Sequence, residues 1–216
     1  MTIVSHAHGF AFLKTIKTGS TSVEVDLSRV AGPDAVVTPI RPAEEGHWPR
    51  NYLGLDGQAV FANHMHAARL REALGDRTFD GLFKFCVLRE PVAKCLSHYH
   101  MKLRSPLHND DGNWDRSWDA YVEQGQFPND LNIFSAAGPG GRVALVDHFV
   151  AYETMARDLP PLMARLGVPG FALRARAKSA WSRDPVVQPA DVTPAQRARI
   201  YAAYADMRRL SGLYGG

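Results

Sequence analysis

Phe12-Leu13-Lys14-Thr15-Ile16-Lys17-Thr18-Gly19-Ser20-Thr21-Ser22 is the stretch that decides the fold. It follows Phe10 and Ala11, so four apolar residues run together before the first lysine, as in a buried strand. The run passes into a turn of small residues, and Ser20 to Val30 then places Val23, Leu27 and Val30 on one helical face. Strand, turn and helix in this order aim backbone N–H groups and the positive end of a helix at a single point. Gly19 lets the backbone approach a ligand closely. Ser20, Thr21 and Ser22 bring hydroxyls, and Lys17 brings charge. The same residues would also serve as an ordinary N-cap in a Ser/Thr-rich turn. A nucleotide-triphosphate loop needs G-x-x-x-x-G-K-[ST], whereas Lys17 precedes Gly19 and no glycine lies five residues upstream of it, which weakens a kinase or ATPase reading.

Outward from this stretch, Ala35-Val36-Val37, Ala59-Val60-Phe61, Leu82 to Leu88 and His148 to Ala151 read as further strands. Helical spacing covers Ala67 to Leu74 and, after a proline in its first turn, Pro91 to Leu103. It returns over Trp118 to Gln124, Thr154 to Leu166 with Pro160 and Pro161 as a break, and Pro194 to Leu210. Val150, Met155, Leu159, Leu162 and Met163 are expected in the core. Strands alternating with helices predict an α/β fold of three layers around a central parallel sheet, in one domain spanning residues 1–216. The long segments Pro39 to Gly57 and Arg104 to Arg116 read as functional loops.

Bulk properties narrow the classes. A formal charge of +3 suits an anionic ligand in one pocket and is too small and too dispersed for a nucleic-acid surface. Cys86 and Cys95 make no disulfide framework, which points to a reducing compartment. No basic start with a long apolar run follows, and no segment approaches ~20 apolar residues, so a cytoplasmic protein with no membrane span is expected.

A second motif runs from Phe85 to Tyr99. Arg89 ends a strand, Pro91 opens the next helix, and Ser97 lies two turns in, so Arg89 and Ser97 are placed to share one anion. A guanidinium fork suits phosphate because it makes two parallel charge-assisted bonds. Either residue alone would pass for a sheet-edge ion pair or a surface serine. The two motifs together, each after a buried strand, carry far more weight.

Lys17-Thr18-Gly19-Ser20-Thr21-Ser22 resembles the 5′-phosphosulfate loop of sulfotransferases that use 3′-phosphoadenosine-5′-phosphosulfate (PAPS). Arg89-Glu90-Pro91 through Ser97 resembles their 3′-phosphate motif. The carbohydrate branch, in particular the uronyl and heparan 2-O-sulfotransferases, is the most similar. The resemblance extends through residues 10–30 and 58–104, and more weakly through 145–210. Ile16 stands where the family usually has proline, and Lys94 where many members have arginine. The resemblance implies a P-loop-nucleotide-hydrolase-like fold and PAPS as co-substrate, with 3′-phosphoadenosine-5′-phosphate (PAP) as product. It further implies a hydroxyl or amine acceptor on a glycan or glycolipid, and no metal. Lys17 would stabilise the leaving group, Thr18 to Ser22 would hold the 5′-phosphate, and Arg89 and Ser97 the 3′-phosphate. Lys178 and Ser179, in the basic stretch Arg174 to Ser179, would close over the nucleotide, although a solvated basic loop explains that stretch equally well.

His64-Met65-His66 occupies the place of a family His-x-His whose second histidine is the base, which implies His66 as base and His64 as its neighbour. Histidine's ordinary pKa near ~6.5 independently suits proton removal from a hydroxyl. A metal site shared with His98 and His100 is the rival, but i and i+2 on a helix point apart. Trp48, Arg50 and Tyr52, with Trp114 and Trp118, are candidates for an acceptor cleft, though tryptophan is more often core. Two further functions stay open: a nucleotide-dependent phosphotransferase, and a non-catalytic module that binds 3′,5′-bisphosphate nucleotides.

Overall fold

In the computed structural model, which describes residues 2–105, 108–109, 114–177 and 185–215, the chain opens on a hairpin. Strand β1 (Thr2–Ser5) pairs antiparallel with β2 (Phe10–Leu13), and every residue of both is buried. Helix α1 (Ser20–Val30) follows, then β3 (Val36–Val37), α2 (Ala67–Leu74), α3 (Asp76–Gly81) and β4 (Phe83–Leu88). After β4 come α4 (Pro91–Arg104) and α5 (Trp118–Gln124), then α6 (Leu131–Phe134) and a small antiparallel pair, β5 (Ser135–Gly138) with β6 (Gly141–Ala144). The chain ends with β7 (His148–Ala151), α7 (Met155–Arg165), α8 (Pro194–Ala203) and α9 (Ala205–Ser211).

Two units form. Met1–Leu88 with Asp130–Ala177 make the first, and Arg89–Asn129 with Lys178–Gly216 make the second. The first holds a five-stranded sheet in the order β3-β1-β2-β4-β7. Strands β2, β4 and β7 run parallel, while β1 is antiparallel to both β2 and β3. The expected parallel sheet is therefore mixed. The reason lies in the connections: a turn of four residues, closed by Gly9 at φ 62°, joins β1 to β2. A parallel pair would need a crossover of a dozen or more. Ala59-Val60-Phe61, expected as a strand, makes one isolated bridge from Ala59 to Leu53, and Ala59 and Val60 are exposed.

One face of the sheet presents Ile3, Phe10, Phe12, Phe85, Val87 and Val150 to Val23 and Leu27 of α1 and to Leu159, Leu162 and Met163 of α7. The opposite-facing residues Ala11, Leu13, Cys86 and Leu88 are also fully buried, which explains the unbroken apolar runs of β2 and β4. Pro160 and Pro161 sit inside α7 without breaking it. The burial of Leu159, Leu162 and Met163 on their two flanks outweighs the two backbone bonds that the prolines forgo.

The second unit packs α8 against α4 and α5. Its centre is aromatic: Tyr99 meets Trp118 edge-on at 5.5 Å, and Trp118 stacks on Tyr121 at 5.4 Å. The expected helix from Pro194 to Leu210 breaks at Tyr204, whose ring is buried and whose hydroxyl donates to the Pro128 carbonyl at 2.6 Å.

Phe85 is the pivot of the first unit's core, with ring centroids 5.9 Å from Phe10 and 5.3 Å from Phe12. Phe85→Ala should lower the unfolding free energy by about 3–5 kcal/mol in a denaturant titration. A loss below about 1 kcal/mol would contradict this packing.

Candidate functional site

The chain leaves β2 at Leu13 and enters α1 at Ser20 through six residues of mostly polar character. Several of their polar atoms are satisfied internally. The Thr15 hydroxyl donates to the Val87 carbonyl of β4, and it also lies 2.7 Å from the Thr18 hydroxyl and 3.2 Å from that of Ser20. Thr18 and Ser20 bond each other as well. The Ile16 N–H donates to Asp130 Oδ1 at 2.8 Å, and Asp130 is itself buried. The hydroxyl of Ser20, expected to face an anion, thus turns inward with that of Thr18 to brace the loop. Backbone N–H groups are what those two residues have to offer.

Two residues of the loop adopt left-handed backbone, Lys17 at φ 60° and Gly19 at φ 68°. Only glycine takes that conformation without cost, so Lys17 stores strain of about 1–2 kcal/mol. Gly19 is the N-cap of α1, and no side chain caps that end. A Cβ on Gly19 would lie 2.8 Å from the Tyr152 ring, so neighbours as well as φ enforce glycine there. The Ser22 N–H is already bonded to the Gly19 carbonyl at 3.0 Å. The half-buried Lys17 therefore stands just before a helix start that no side chain caps.

His64 is tied to the base of this loop. Its Nδ1 lies 3.0 Å from the Lys14 carbonyl, and because a carbonyl only accepts, Nδ1 carries the hydrogen. In the neutral ring Nε2 then holds the basic lone pair. His64 is half-buried and has φ 52°. Lys14 is anchored from its other end by a buried ion pair to Glu24 of α1 at 3.1 Å. His66 differs: it is exposed, serves as the N-cap of α2 and makes no side-chain cap bond.

Ser22 and Asp26, on α1, hold the segment 174–177. The Ala177 N–H donates to Ser22 Oγ at 3.0 Å, and the Arg174 and Ala175 N–H groups donate to Asp26 Oδ2 at 2.7 and 2.8 Å. Asp26 also pairs with Arg29 at 3.6 Å, but its hold on segment 174–177 left no signal in the sequence, because those backbone groups are about 150 residues away. Lys178 and Ser179, which follow directly, lie outside the described residues.

The second motif lies in the second unit. Half-buried Arg89 precedes α4, and Ser97 is buried within that helix. Glu90 between Arg89 and Pro91 caps α4, its carboxylate accepting the Ala93 N–H at 2.7 Å and the Tyr201 hydroxyl at 2.7 Å. Of the second pair of histidines, His98 Nδ1 is 2.9 Å from the Tyr121 hydroxyl, and His100 Nε2 accepts the Val187 N–H at 3.3 Å. Among the described residues no three His, Cys, Asp or Glu side chains cluster as a metal site would require. No helix among them is long and apolar enough to cross a membrane.

Of the residues expected to form an aromatic acceptor cleft, Trp48, Arg50 and Tyr52 belong to the first unit and Trp114 and Trp118 to the second. Trp118 is core, with its Nε1 donating to Gln196 at 3.2 Å, and Trp114 meets Tyr99 edge-on at 5.6 Å. Arg50 closes the C-terminal end of α1, its guanidinium donating to the carbonyls of Ser28 at 2.9 Å and Gly32 at 2.8 Å. Trp48 is exposed, and Tyr52 lines a separate cavity.

No family model and no solved structure matches the chain significantly. An uncharacterized protein of Archaeoglobus fulgidus is similar, at 28% identity over 106 residues covering 49% of this chain and 84% of that protein.

His47 of this unit is a perturbed histidine. Burial lowers its pKa to about 4, and the charges of Lys14 and Arg50 push the same way. Its Nε2 is buried without a hydrogen-bond partner. Folding thus favours the neutral ring, and the unfolded chain takes up a proton that the folded one refuses. The contribution is complete above pH ~6.5 and declines as pH falls toward 4, by at most ~1.4 kcal/mol per pH unit for one proton. Denaturant titrations across this range should show a shallower acid decline for His47→Phe than for wild type. Equal slopes would remove His47 from the acid response.

Proposed function

We propose that this chain is a sulfotransferase that moves a sulfuryl group from PAPS to a hydroxyl or amine acceptor, with a carbohydrate as the acceptor class. The observation that carries the reading is the Lys17 loop: a buried strand, two left-handed residues and a helix start that no side chain caps. Such a loop presents a cation and outward N–H groups to an anion that brings its own charge. The resemblance of Lys17 to Ser22 and of Arg89 to Ser97 to the two phosphate motifs of PAPS-dependent sulfotransferases gives that anion its identity.

The acceptor oxygen attacks sulfur, the bond between sulfur and the bridging phosphate oxygen breaks, and PAP departs with the electron pair. Lys17 and the N–H groups of Gly19 to Thr21 offset the charge that builds on the 5′-phosphate. Arg89 and Ser97 take the 3′-phosphate, the group that separates this donor from ATP. A loose transition state of this type needs alignment and charge compensation more than covalent help. The acceptor proton passes to a histidine. His64 suits that role better than His66, because its Nδ1–H bond to the Lys14 carbonyl fixes the tautomer and leaves Nε2 as the base. Lys178 and Ser179 remain as further phosphate contacts in this reading.

Transfer of radiolabelled sulfate from PAPS to a mixed glycan pool tests the function. Wild type should transfer label. His64→Ala should lose about 10²–10⁴-fold in turnover at saturating donor while holding PAP as wild type does, and His66→Ala should stay near wild type. Loss confined to His66→Ala would return the role of base to His66. Label transfer from ATP and none from PAPS would make the chain a phosphotransferase, and PAP binding without transfer would make it a nucleotide-binding module.

A further inference from the structure

The first unit holds an open cavity of about 610 Å³ that neither the Lys17 loop nor His64 lines. Its walls are α1 at Val25 and Arg29, the turn from Glu44 to Trp48, and Ala175 to Ala177. The His47 N–H closes that turn on the Glu44 carbonyl at 3.2 Å. His47 itself is buried, and the next residue, Trp48, is left outside at 72% exposure. A tryptophan so exposed on the wall of a cavity offers apolar surface for a ligand to cover. Arg29 holds the turn against α1: its Nε donates to the Gly46 carbonyl at 3.3 Å, and a Cβ on Gly46 would collide with the guanidinium. Its Nη1 lies 3.6 Å from Asp26 Oδ1, so Arg29 is engaged in the scaffold. The third wall is fixed by the N–H bonds of Arg174 and Ala175 to Asp26 and of Ala177 to Ser22. Glu45, Trp48 and Arg176 are exposed and Glu44 is half-buried. Among the described residues, no hydrogen bond or ion pair engages these four side chains.

The face of an indole is negative and attracts a cation, and two carboxylates on the same turn strengthen that attraction. Arg176 brings the opposite charge, in a planar fork that matches a carboxylate. A ligand of one charge would meet a like charge in this lining, whereas a ligand of both signs finds a partner for each. We propose that the cavity binds a small zwitterion, an alkylammonium joined to a carboxylate as in an amino acid or a betaine. Trp48, Glu44 and Glu45 take the ammonium, and Arg176 takes the carboxylate. This site goes beyond the sulfuryl-transfer reading and does not rest on it. None of the four side chains belongs to the core, so substitutions there leave the fold intact.

The test is a titration of the isotope-labelled full chain, without nucleotide, followed at the backbone N–H resonances of Gly46 and Ala177. The ligands are γ-butyrobetaine, 4-aminobutyrate, and the two halves butyltrimethylammonium and butyrate. At least one zwitterion should bind about tenfold more tightly than either half, as one charge-assisted contact implies. The tighter of the two shows whether the ammonium is methylated. Arg176→Ala should bring the zwitterion down to the level of butyltrimethylammonium, and Arg176→Lys should keep part of the preference. Trp48→Ala should weaken the zwitterion about fivefold. Glu44→Gln combined with Glu45→Gln should weaken the zwitterion and the ammonium alone, but not butyrate. Zwitterion binding no tighter than that of either half, a preference that survives Arg176→Ala, or no shift at millimolar concentration would overturn the proposal. Adenosine moving the same resonances where the zwitterions do not would also overturn it, and would make Trp48 a platform for a nucleobase. Absence of sulfuryl transfer from PAPS leaves this site standing, and failure here leaves the donor reading standing.

Discussion

Four of the seven residues from Lys14 to Ser20 are buried, and all four are polar, so the loop between β2 and α1 exists only because each of these groups finds a partner inside the protein. Thr15 is the central one. Its hydroxyl reaches across to the Val87 carbonyl and ties the end of β2 to its parallel neighbour β4. Thr18 and Ser20 then close on Thr15, and Asp130 takes the Ile16 N–H. With these bonds made, the backbone has little freedom left, and Lys17 and Gly19 are held in left-handed conformations that a loose loop would abandon.

The same economy governs α1. Ser22, Glu24, Asp26 and Ser28 are buried on a helix that also gives Val23, Val25 and Leu27 to the core. Each of the four has its own partner. Ser22 and Asp26 secure residues 174–177, Glu24 holds Lys14, and Ser28 bonds back to the Val25 carbonyl at 2.7 Å. Removing one partner would leave a buried polar or charged group unsatisfied, which costs more than the bond contributes when made. The position of the Lys14 carbonyl, and with it the orientation of His64, rests on this set.

Long apolar runs and helical periodicity made much of the fold legible. Ser20–Val30, Ala67–Leu74, Trp118–Gln124 and His148–Ala151 have the bounds that their patterns predict. Elements that depend on pairing alone escaped. Strand β1 has four residues and no distinctive alternation, and only its partners β2 and β3 define it. Ala59 to Phe61 carries a strand's composition but lies on the exposed rim of a cavity. At the site, Lys17 and Gly19 were readable from type and order. The inward turn of the Thr18 and Ser20 hydroxyls was not, because it depends on Val87, 72 residues from Thr15. Arg50 misled for a similar reason: the carbonyls of Ser28 on α1 and of Gly32 just past that helix are 22 and 18 residues away in sequence.

Everything functional in this account depends on the Lys17 loop receiving a phosphorylated nucleotide through its backbone. Amide spectra of isotope-labelled protein, recorded while PAP is added, test that directly. The N–H resonances of Lys17 to Thr21 should shift and saturate with PAP, whereas AMP at the same concentrations should move them far less. Unchanged resonances from Lys17 to Thr21, with PAP-dependent shifts only elsewhere in the chain, would contradict it.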